Sequence, residues 1–342
     1  MIAIFTEKNL LEDIIIESKK FPNWYLILKF HSKIYINLTP LELENEIKSD
    51  STLIGGFYHQ MSGYIKIEAN KDFFDQVYRK PKNLIQNPRA AYFLNISTTD
   101  AYTIQNEYGV IVFTKDAIQD NILKGRIHWT LEKNKKHIGL NNETGWKGLF
   151  GKFPIPPSNS LIISDNYLLK DVDLGILNFS EVLKIILPSK LKTEFHLLIR
   201  VTNEYAIKNN HEKIFESLNN AVNEFKSIVD FNIKFELIFL KHQEQHDRYM
   251  FLNYSKGYSG YGYALFKPEN LEKCSNTTTF DFSNYYELMA PELYGQTIEE
   301  GSRSLLTISK KLWKDLRNTG GDYFCNFPNP TWEVKNRLLS DL

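Results

Sequence analysis

Short apolar runs separated by polar stretches recur along the whole chain, and most of them have the length of buried strands. In residues 89–114 an apolar strand leads to Ser97, a helix of about ten residues follows, and Gly109 precedes a second apolar strand. Serine is a preferred residue at a helix N-cap, and glycine is preferred just after the last helical turn. Apolar strands on both sides of one helix predict a βαβ unit in a parallel sheet that is covered on both faces.

The same pattern predicts two α/β domains, at residues 1–145 and 159–342, joined by a linker at 146–158. In the first domain we expect strands at the ends of the βαβ unit and at residues 24–30, among others. The linker is predicted because residues 146–158 are rich in glycine and proline, which interrupt helices and central strands. The second domain is predicted to contain these elements: strands at 160–164, 195–201, 235–240 and 249–252, and an amphipathic helix at 212–229.

Composition and charge exclude several classes of function. The chain has 342 residues, with 41 basic and 41 acidic side chains, so only a local basic patch can attract nucleic acid. The two cysteines, Cys274 and Cys325, lack metal-ligand spacing and fit a reducing compartment. No signal peptide is recognisable, and no apolar run approaches the ~18 residues needed to cross a bilayer. We therefore expect a cytoplasmic protein without membrane contact.

The candidate chemistry lies where the strand at 249–252 begins. His246, Asp247 and Arg248 precede this strand and follow a short polar turn. Alternate residues of a strand share a face, so we expect His246 and Arg248 on one side and Asp247 on the other. A histidine beside a fixed cation is a candidate anion site.

The spacing of these residues resembles the phospholipase D motif. That motif reads His, any residue, Lys, four residues, Asp, six residues and then Gly. Here His246 begins the pattern, Arg248 stands in the place of Lys, Asn253 in the place of Asp, and Gly260 is the final glycine. The order His-Asp-Arg is similar to that of a divergent branch of phospholipase-D-like domains.

A second feature of that branch is an upstream strand that ends in Asp and is followed by an aromatic residue. Asp165 and Tyr167 fit this description, so Asp165 joins the candidate site residues. The resemblance covers about residues 155–340 and leaves the N-terminal half without a recognised family. It implies that the C-terminal domain has a phospholipase-D-like fold, a mixed sheet flanked by helices.

The resemblance implies a metal-independent phosphodiesterase or nuclease acting on nucleic acid. His246 would attack phosphorus and form a phosphohistidine, Arg248 would hold the phosphate oxygens, and Asn253 would be a polar orienter. Asn253 lacks the charge with which an aspartate orients a histidine. One motif per chain implies a homodimer, in which the second copy supplies the other histidine. By association, such a two-domain chain suggests an accessory nuclease in bacterial defence against mobile DNA.

Other interpretations of the same residues stay open. The C-terminal domain is alternatively an inactive module that binds a nucleic-acid backbone or a protein partner, with residues 1–145 docking a partner protein. His246, Asp247 and Arg248 alternatively form a structural hydrogen-bond cluster. His242, Glu244 and His246 alternate as zinc ligands do on a strand, although the spacing departs from known zinc motifs, and we expect neither metal nor cofactor.

Overall fold

A computed structural model of the protein describes residues 2–60, 66–132, 135, 142–151, 153–202, 210–240, 248–270, 272, 277–285 and 335–339. The chain divides into two compact units, Met1–Leu123 and Lys124–Leu342. Both units contain helices and strands within the described residues, which confirms the α/β class. No helix within the described residues is long and apolar enough to cross a membrane.

The first unit is built on a parallel sheet of five strands in the order β3-β2-β1-β4-β5. The central strand β1 pairs in parallel with β2 on one side and with β4 on the other. The strands are β1 (Ile2–Thr6), β2 (Ser32–Ile36), β3 (Ile67–Ala69), β4 (Ala91–Phe93) and β5 (Ile111–Phe113). The helices are α1 (Lys8–Ile16), α2 (Pro22–Phe30), α3 (Pro40–Ile47), α4 (Leu53–Gln60), α5 (Lys71–Val77) and α6 (Thr98–Tyr108).

The βαβ unit predicted at residues 89–114 is confirmed. The Ser97 hydroxyl accepts a hydrogen bond from the backbone N–H of Asp100 at 3.1 Å, and α6 begins at the next residue. Gly109 ends the helix with φ of 62°, a left-handed conformation that glycine adopts without a steric cost. Both flanking strands, β4 and β5, are fully buried, as a parallel sheet covered on both faces requires.

The strand predicted at residues 24–30 is wrong, because these residues form α2. Pro22 occupies the first turn of this helix, where its missing N–H costs no hydrogen bond. Trp24, Ile27 and Leu28 are buried along one side at helical spacing. A continuous apolar run does not distinguish a buried strand from a buried helix, and here the strand comes later, as β2.

The second unit contains a mixed sheet of seven strands in the order β6-β12-β11-β10-β7-β8-β9. Strands β7, β8 and β9 are parallel, and the other neighbouring pairs are antiparallel. The strands are β6 (Arg126–Leu131), β7 (Ser160–Ser164), β8 (Phe195–Thr202), β9 (Ile233–Leu240), β10 (Tyr249–Phe251), β11 (Ser255–Ser259) and β12 (Thr278–Asn284). Its helices among the described residues are α7 (Gly145–Phe150), α8 (Val172–Ile186) and α9 (His211–Lys226).

One face of this sheet packs against the three helices and forms the core of the unit. Apolar side chains from every strand except β11 join those of α7, α8 and α9 in one buried cluster. On the opposite face, residues 335–339 lie against the parallel strands. There the Asn336 side chain donates to the carbonyl oxygens of Leu161 and His196.

The linker predicted at residues 146–158 differs from the structure. Trp146 is buried in the core of the second unit, and its indole N–H donates to the Asn178 side chain at 2.9 Å. Leu149 and Phe150 are buried beside it, so the apolar residues of this stretch outweigh its glycines and prolines. The structure instead divides the chain between Leu123 and Lys124, just before β6.

Candidate functional site

Asp165 follows β7 directly and is completely buried. Its backbone N–H donates to the carbonyl oxygen of Arg200 at 3.0 Å, which extends the parallel pairing of β7 with β8. Its carboxylate accepts two backbone N–H bonds, from Tyr167 at 2.9 Å and from Tyr263 at 2.7 Å. Burial raises the pKa of the Asp165 carboxyl, while these two bonds and the guanidinium groups of Arg248 and Arg200 act to lower it.

The turn after β11 wraps around this carboxylate, and a glycine makes that approach feasible. Gly262 has φ of +98°, a backbone conformation that residues other than glycine rarely adopt. A Cβ atom at this position would lie 2.6 Å from Oδ2 of Asp165, well inside van der Waals contact. The next residue, Tyr263, then supplies its N–H to the same oxygen. The backbone conformation and the close contact both require glycine.

Arg248 lies beside Asp165 at the start of β10. Tyr249 pairs with Ser164, so the antiparallel register places Arg248 opposite Asp165. Nε of Arg248 is 3.8 Å from Oδ1 of Asp165, Nη1 donates to the carbonyl oxygen of Gly260, and the side chain is 16% exposed. Both contacts hold the guanidinium of Arg248 in place.

The third contact of Arg248 is with an aromatic ring. Its guanidinium carbon lies 4.7 Å from the centre of the Tyr167 ring, a cation–π distance. Tyr167 is in turn positioned by the bond from its backbone N–H to Asp165. The same carboxylate thus holds the cation directly and also positions the ring on which the cation stacks.

Arg200 is a second buried cation next to Asp165. It lies on β8 opposite Ser164, is 1% exposed, and donates from Nη1 to the side-chain oxygen of Asn166 at 2.6 Å. Its charge lowers the pKa of Asp165, although less than the two backbone bonds and Arg248 do. The polar sequence Ser164-Asp165-Asn166 at the end of β7 therefore accommodates two arginines, one from each neighbouring strand.

An open cleft of about 510 Å³ lies next to this cluster. It holds two basic side chains, two tyrosines and two carboxylates, and its lining residues are Asp165, Tyr167, Lys170, Asp171, Arg248, Tyr261 and Ala264. Asp171 is occupied as the N-cap of α8, where it accepts from the backbone N–H of Leu174 at 3.2 Å. Since the carboxylate of Asp165 is buried, Arg248 and Lys170 are the groups suited to attract an anion.

Two of the four predicted site residues are brought together by this structure. Asp165 and Arg248 are neighbours, as their places in the sequence pattern predict. His246 and Asp247 lie outside the described residues, as do His242 and Glu244 of the zinc alternative. The catalytic roles predicted for His246, Arg248 and Asp165 stay predictions.

Asn253 is placed away from the cleft, which corrects its predicted role as an orienter of the histidine. It lies beyond the other end of β10, five residues from Arg248, or roughly 16 Å along an extended chain. It is completely buried, and its side-chain oxygen accepts from the Ser158 hydroxyl at 2.7 Å and from the backbone N–H of Asn159 at 3.2 Å. Its amide N–H donates to the side-chain oxygen of Asn159 at 3.1 Å. These contacts stabilise the start of β7.

Arg200, Lys170 and Tyr261 belong to this site but were missed in the sequence. Arg200 had a signal, because a charge within an apolar strand needs a polar partner on a neighbouring strand. Lys170 and Tyr261 lie in loops, where spacing along the chain does not report which side chains face one cleft.

Comparison with known proteins gives no further guidance. No protein-family model matches this chain, and none of the curated proteins matches it either.

Proposed function

We propose that the cleft beside Asp165 binds a phosphodiester and that the protein is a phosphodiesterase or nuclease acting on nucleic acid. The observation that carries this proposal is the fixed guanidinium of Arg248 at the edge of the cleft, with Lys170 lining the same space. Arginine binds phosphate through paired N–H groups, and a preorganised guanidinium needs no further ordering when the anion arrives. The cleft also lies at the carboxyl end of parallel β7, where open α/β sheets commonly bind ligands.

The nucleophile in this proposal is His246, two residues before Arg248. Two residues of chain span at most about 7 Å, so in this proposal the His246 imidazole would reach an anion held by Arg248. The imidazole nitrogen would form a bond to phosphorus while the bond from phosphorus to one ester oxygen breaks, and that oxygen leaves with a proton from a general acid. Water would then attack the phosphorus and give a proton to the group that had acted as general acid, while the bond from phosphorus to nitrogen breaks; the phosphate monoester leaves and His246 is regenerated.

The general acid in this scheme is the histidine of a second copy of the chain. Each chain carries one such motif, so we propose a homodimer with the two motifs facing each other at a two-fold axis. A function in bacterial defence against mobile DNA is the biological setting that such a nuclease suggests. It rests on association with other two-domain nucleases and adds nothing to the chemistry.

A cleavage assay tests the proposal. Single- and double-stranded DNA and RNA are incubated with wild-type protein in EDTA, beside His246→Ala, Arg248→Ala and the exposed controls His59→Ala and Arg79→Ala. We expect wild type and both controls to cut at least one substrate, His246→Ala to be inactive, and Arg248→Ala to be slowed about 100-fold or more, as for loss of a transition-state donor. Cleavage that survives His246→Ala would refute the mechanism, and a monomer in solution that is active would refute the dimer.

One observation favours a second candidate, a module that binds phosphate without cutting it. The positional equivalent of the orienting aspartate, Asn253, is engaged at the far end of β10. If no substrate is cut but a nucleic acid or a protein partner binds and Arg248→Ala weakens that binding, the binding module is the better description.

A further inference from the structure

The antiparallel half of the seven-stranded sheet has a face that α7, α8 and α9 do not cover. On the helix-covered side, β6, β12 and β10 contribute apolar residues such as Ile127, Phe280 and Met250 to the core. The residues between these on each strand point to the opposite face of the sheet. We call this opposite surface the polar sheet face, and it is formed by Arg126, His128, Lys256, Asp281, Tyr258 and Tyr249.

A row of side chains crosses the polar sheet face from β6 to β10. His128 stands opposite Asp281, Asp281 opposite Tyr258, and Tyr258 opposite Tyr249. All four are exposed or partly exposed. Three steps between neighbouring strands give the row a length of roughly 14 Å.

The β6 end of this face carries positive charge that one carboxylate positions. Oδ1 of Asp281 is 3.1 Å from Nη2 of Arg126 and 2.7 Å from Nδ1 of His128. The Arg126 and His128 side chains remain 45% and 54% exposed, so each is oriented without being shielded from solvent. Lys256 lies nearby on β11. The polar sheet face therefore carries two permanent positive charges and a histidine, and one negative charge, that of Asp281.

The β10 end of this face carries two aromatic rings. The centres of the Tyr258 and Tyr249 rings are 5.9 Å apart, and the ring planes are inclined by 49°. Nζ of Lys256 lies 5.4 Å from the centre of the Tyr249 ring. Partly exposed rings beside cations on a sheet are suited to stack nucleic-acid bases while the cations contact phosphates.

The polar sheet face meets the Arg248 cleft at the start of β10. Tyr249 and Arg248 are consecutive at the end of this central strand, so their side chains project to opposite faces of the sheet. A nucleic-acid strand that stacks a base on Tyr249 can therefore reach Arg248 only by passing around this end of β10. This continuity connects a base-stacking surface with a phosphate site.

We infer that the polar sheet face binds single-stranded nucleic acid and leads it to the cleft. The inference rests on the proposed function of the cleft and specifies its substrate, because a duplex keeps its bases stacked and cannot offer them to Tyr258 and Tyr249. A four-stranded antiparallel surface of this kind has room to stack two or three bases.

Binding is tested in the His246→Ala background, so that cleavage does not interfere. Fluorescence anisotropy measures the affinity for a fluorescein-labelled oligothymidylate of about twelve nucleotides and for a duplex of equal length. We expect the single strand to bind more tightly than the duplex. Tyr258→Leu should weaken single-strand binding about five- to a hundredfold, whereas Tyr258→Phe, which keeps the ring, should bind like the parent. Tyr102→Leu, at an exposed tyrosine of the first unit, is the matched control and should have no effect.

Salt dependence tests the charged end of the same face. Arg126→Ala should lower the slope of log affinity against log salt concentration by roughly 0.7, the value for one lost phosphate contact to a single strand. Equal affinity for duplex and single strand, or a Tyr258→Leu protein that binds as tightly as its parent, would overturn the inference.

A small substrate separates this inference from the proposed function. Wild-type protein that hydrolyses bis(p-nitrophenyl) phosphate in an Arg248-dependent way supports the cleft, whatever the single strand does. If that diester is not hydrolysed while Tyr258→Leu still weakens strand binding, the phosphodiesterase proposal fails and the polar sheet face stands. Hydrolysis without any effect of Tyr258→Leu on binding overturns the sheet-face inference alone.

Discussion

Removing the charge of Asp165 should destabilise the second unit more than any single change at the surface. In Asp165→Asn the side chain keeps one oxygen, so it can no longer accept the N–H bonds of both Tyr167 and Tyr263. One buried N–H without an acceptor costs about 1–3 kcal/mol. Arg248, which is only 16% exposed, also loses its carboxylate at 3.8 Å. Breaking a buried ion pair by removing one partner costs about 3–5 kcal/mol. We expect Asp165→Asn to lower the free energy of unfolding by that amount.

Removing the other partner should cost less. In Arg248→Met the carboxylate of Asp165 keeps both backbone N–H donors and still lies near the positive charge of Arg200. We therefore expect the free energy of unfolding to fall by about 1–3 kcal/mol. The double variant should be less destabilised than the sum of the two single variants, with a coupling of about 1–3 kcal/mol. The coupling measures how far Asp165 and Arg248 act as one unit.

Urea denaturation measures these free energies of unfolding. Far-UV circular dichroism and tryptophan fluorescence are recorded together, because two units can unfold in separate transitions. Asp173→Asn, at an exposed position in the first turn of α8, is the matched control and should stay within about 0.5 kcal/mol of wild type. An Asp165→Asn protein as stable as this control, or strictly additive effects in the double variant, would refute the description of the site as a buried, coupled pair.

Three other positions in the second unit also give testable expectations. Gly262→Ala should destabilise it by about 1–3 kcal/mol in urea, because the added Cβ meets the carboxylate of Asp165 and the backbone is left-handed; full stability would show that the turn can move. Asn253→Asp should also destabilise it by about 1–3 kcal/mol without raising nuclease activity, because a carboxylate cannot donate to Asn159; increased cleavage would restore a catalytic role to this position. Burial lowers the pKa of His196 to about 3, so the folded protein binds fewer protons than the unfolded chain between pH 6.5 and 3. This part of the stability is therefore lost as the pH falls, by at most about 1.4 kcal/mol per pH unit, and His196→Gln should lack that slope in urea titrations at pH 7 and pH 5.

The sequence predicted those parts of the fold in which local signals agree with packing. The βαβ unit around Ser97 and Gly109 has its cap, its helix end and its apolar strands in one continuous stretch. The strand predicted at 24–30 failed because Trp24 and its apolar neighbours are compatible with either a helix or a strand, and tertiary burial decides between them. The linker prediction at residues 146–158 was wrong because it rested on the turn-forming residues alone. Trp146 is buried, and its burial places this stretch in the core.

The candidate site was predicted only in part for a related physical reason. Asp165 and Arg248 lie at the ends of recognisable strands, so a pattern of strand ends brings them together. Arg200 enters the site through the register of β7 with β8, which the sequence does not specify when several parallel pairings bury equal apolar area. Asn253 was misplaced because a motif spacing gives distance along the chain and says nothing about which end of a strand faces the cleft.

The pairing of β6 with β12 has a consequence for the synthesis of the protein. His128 and Asp281, which face each other in this pair, are 153 residues apart. At ordinary translation rates β6 therefore emerges roughly 8–30 s before its partner strand exists. During that interval β6 is an unpaired strand with alternating apolar side chains, the kind of segment that aggregates or recruits chaperones. In the sheet of Met1–Leu123 the corresponding delay is shorter, because Ile2 of β1 pairs with Ser32 of β2, only 30 residues further along the chain.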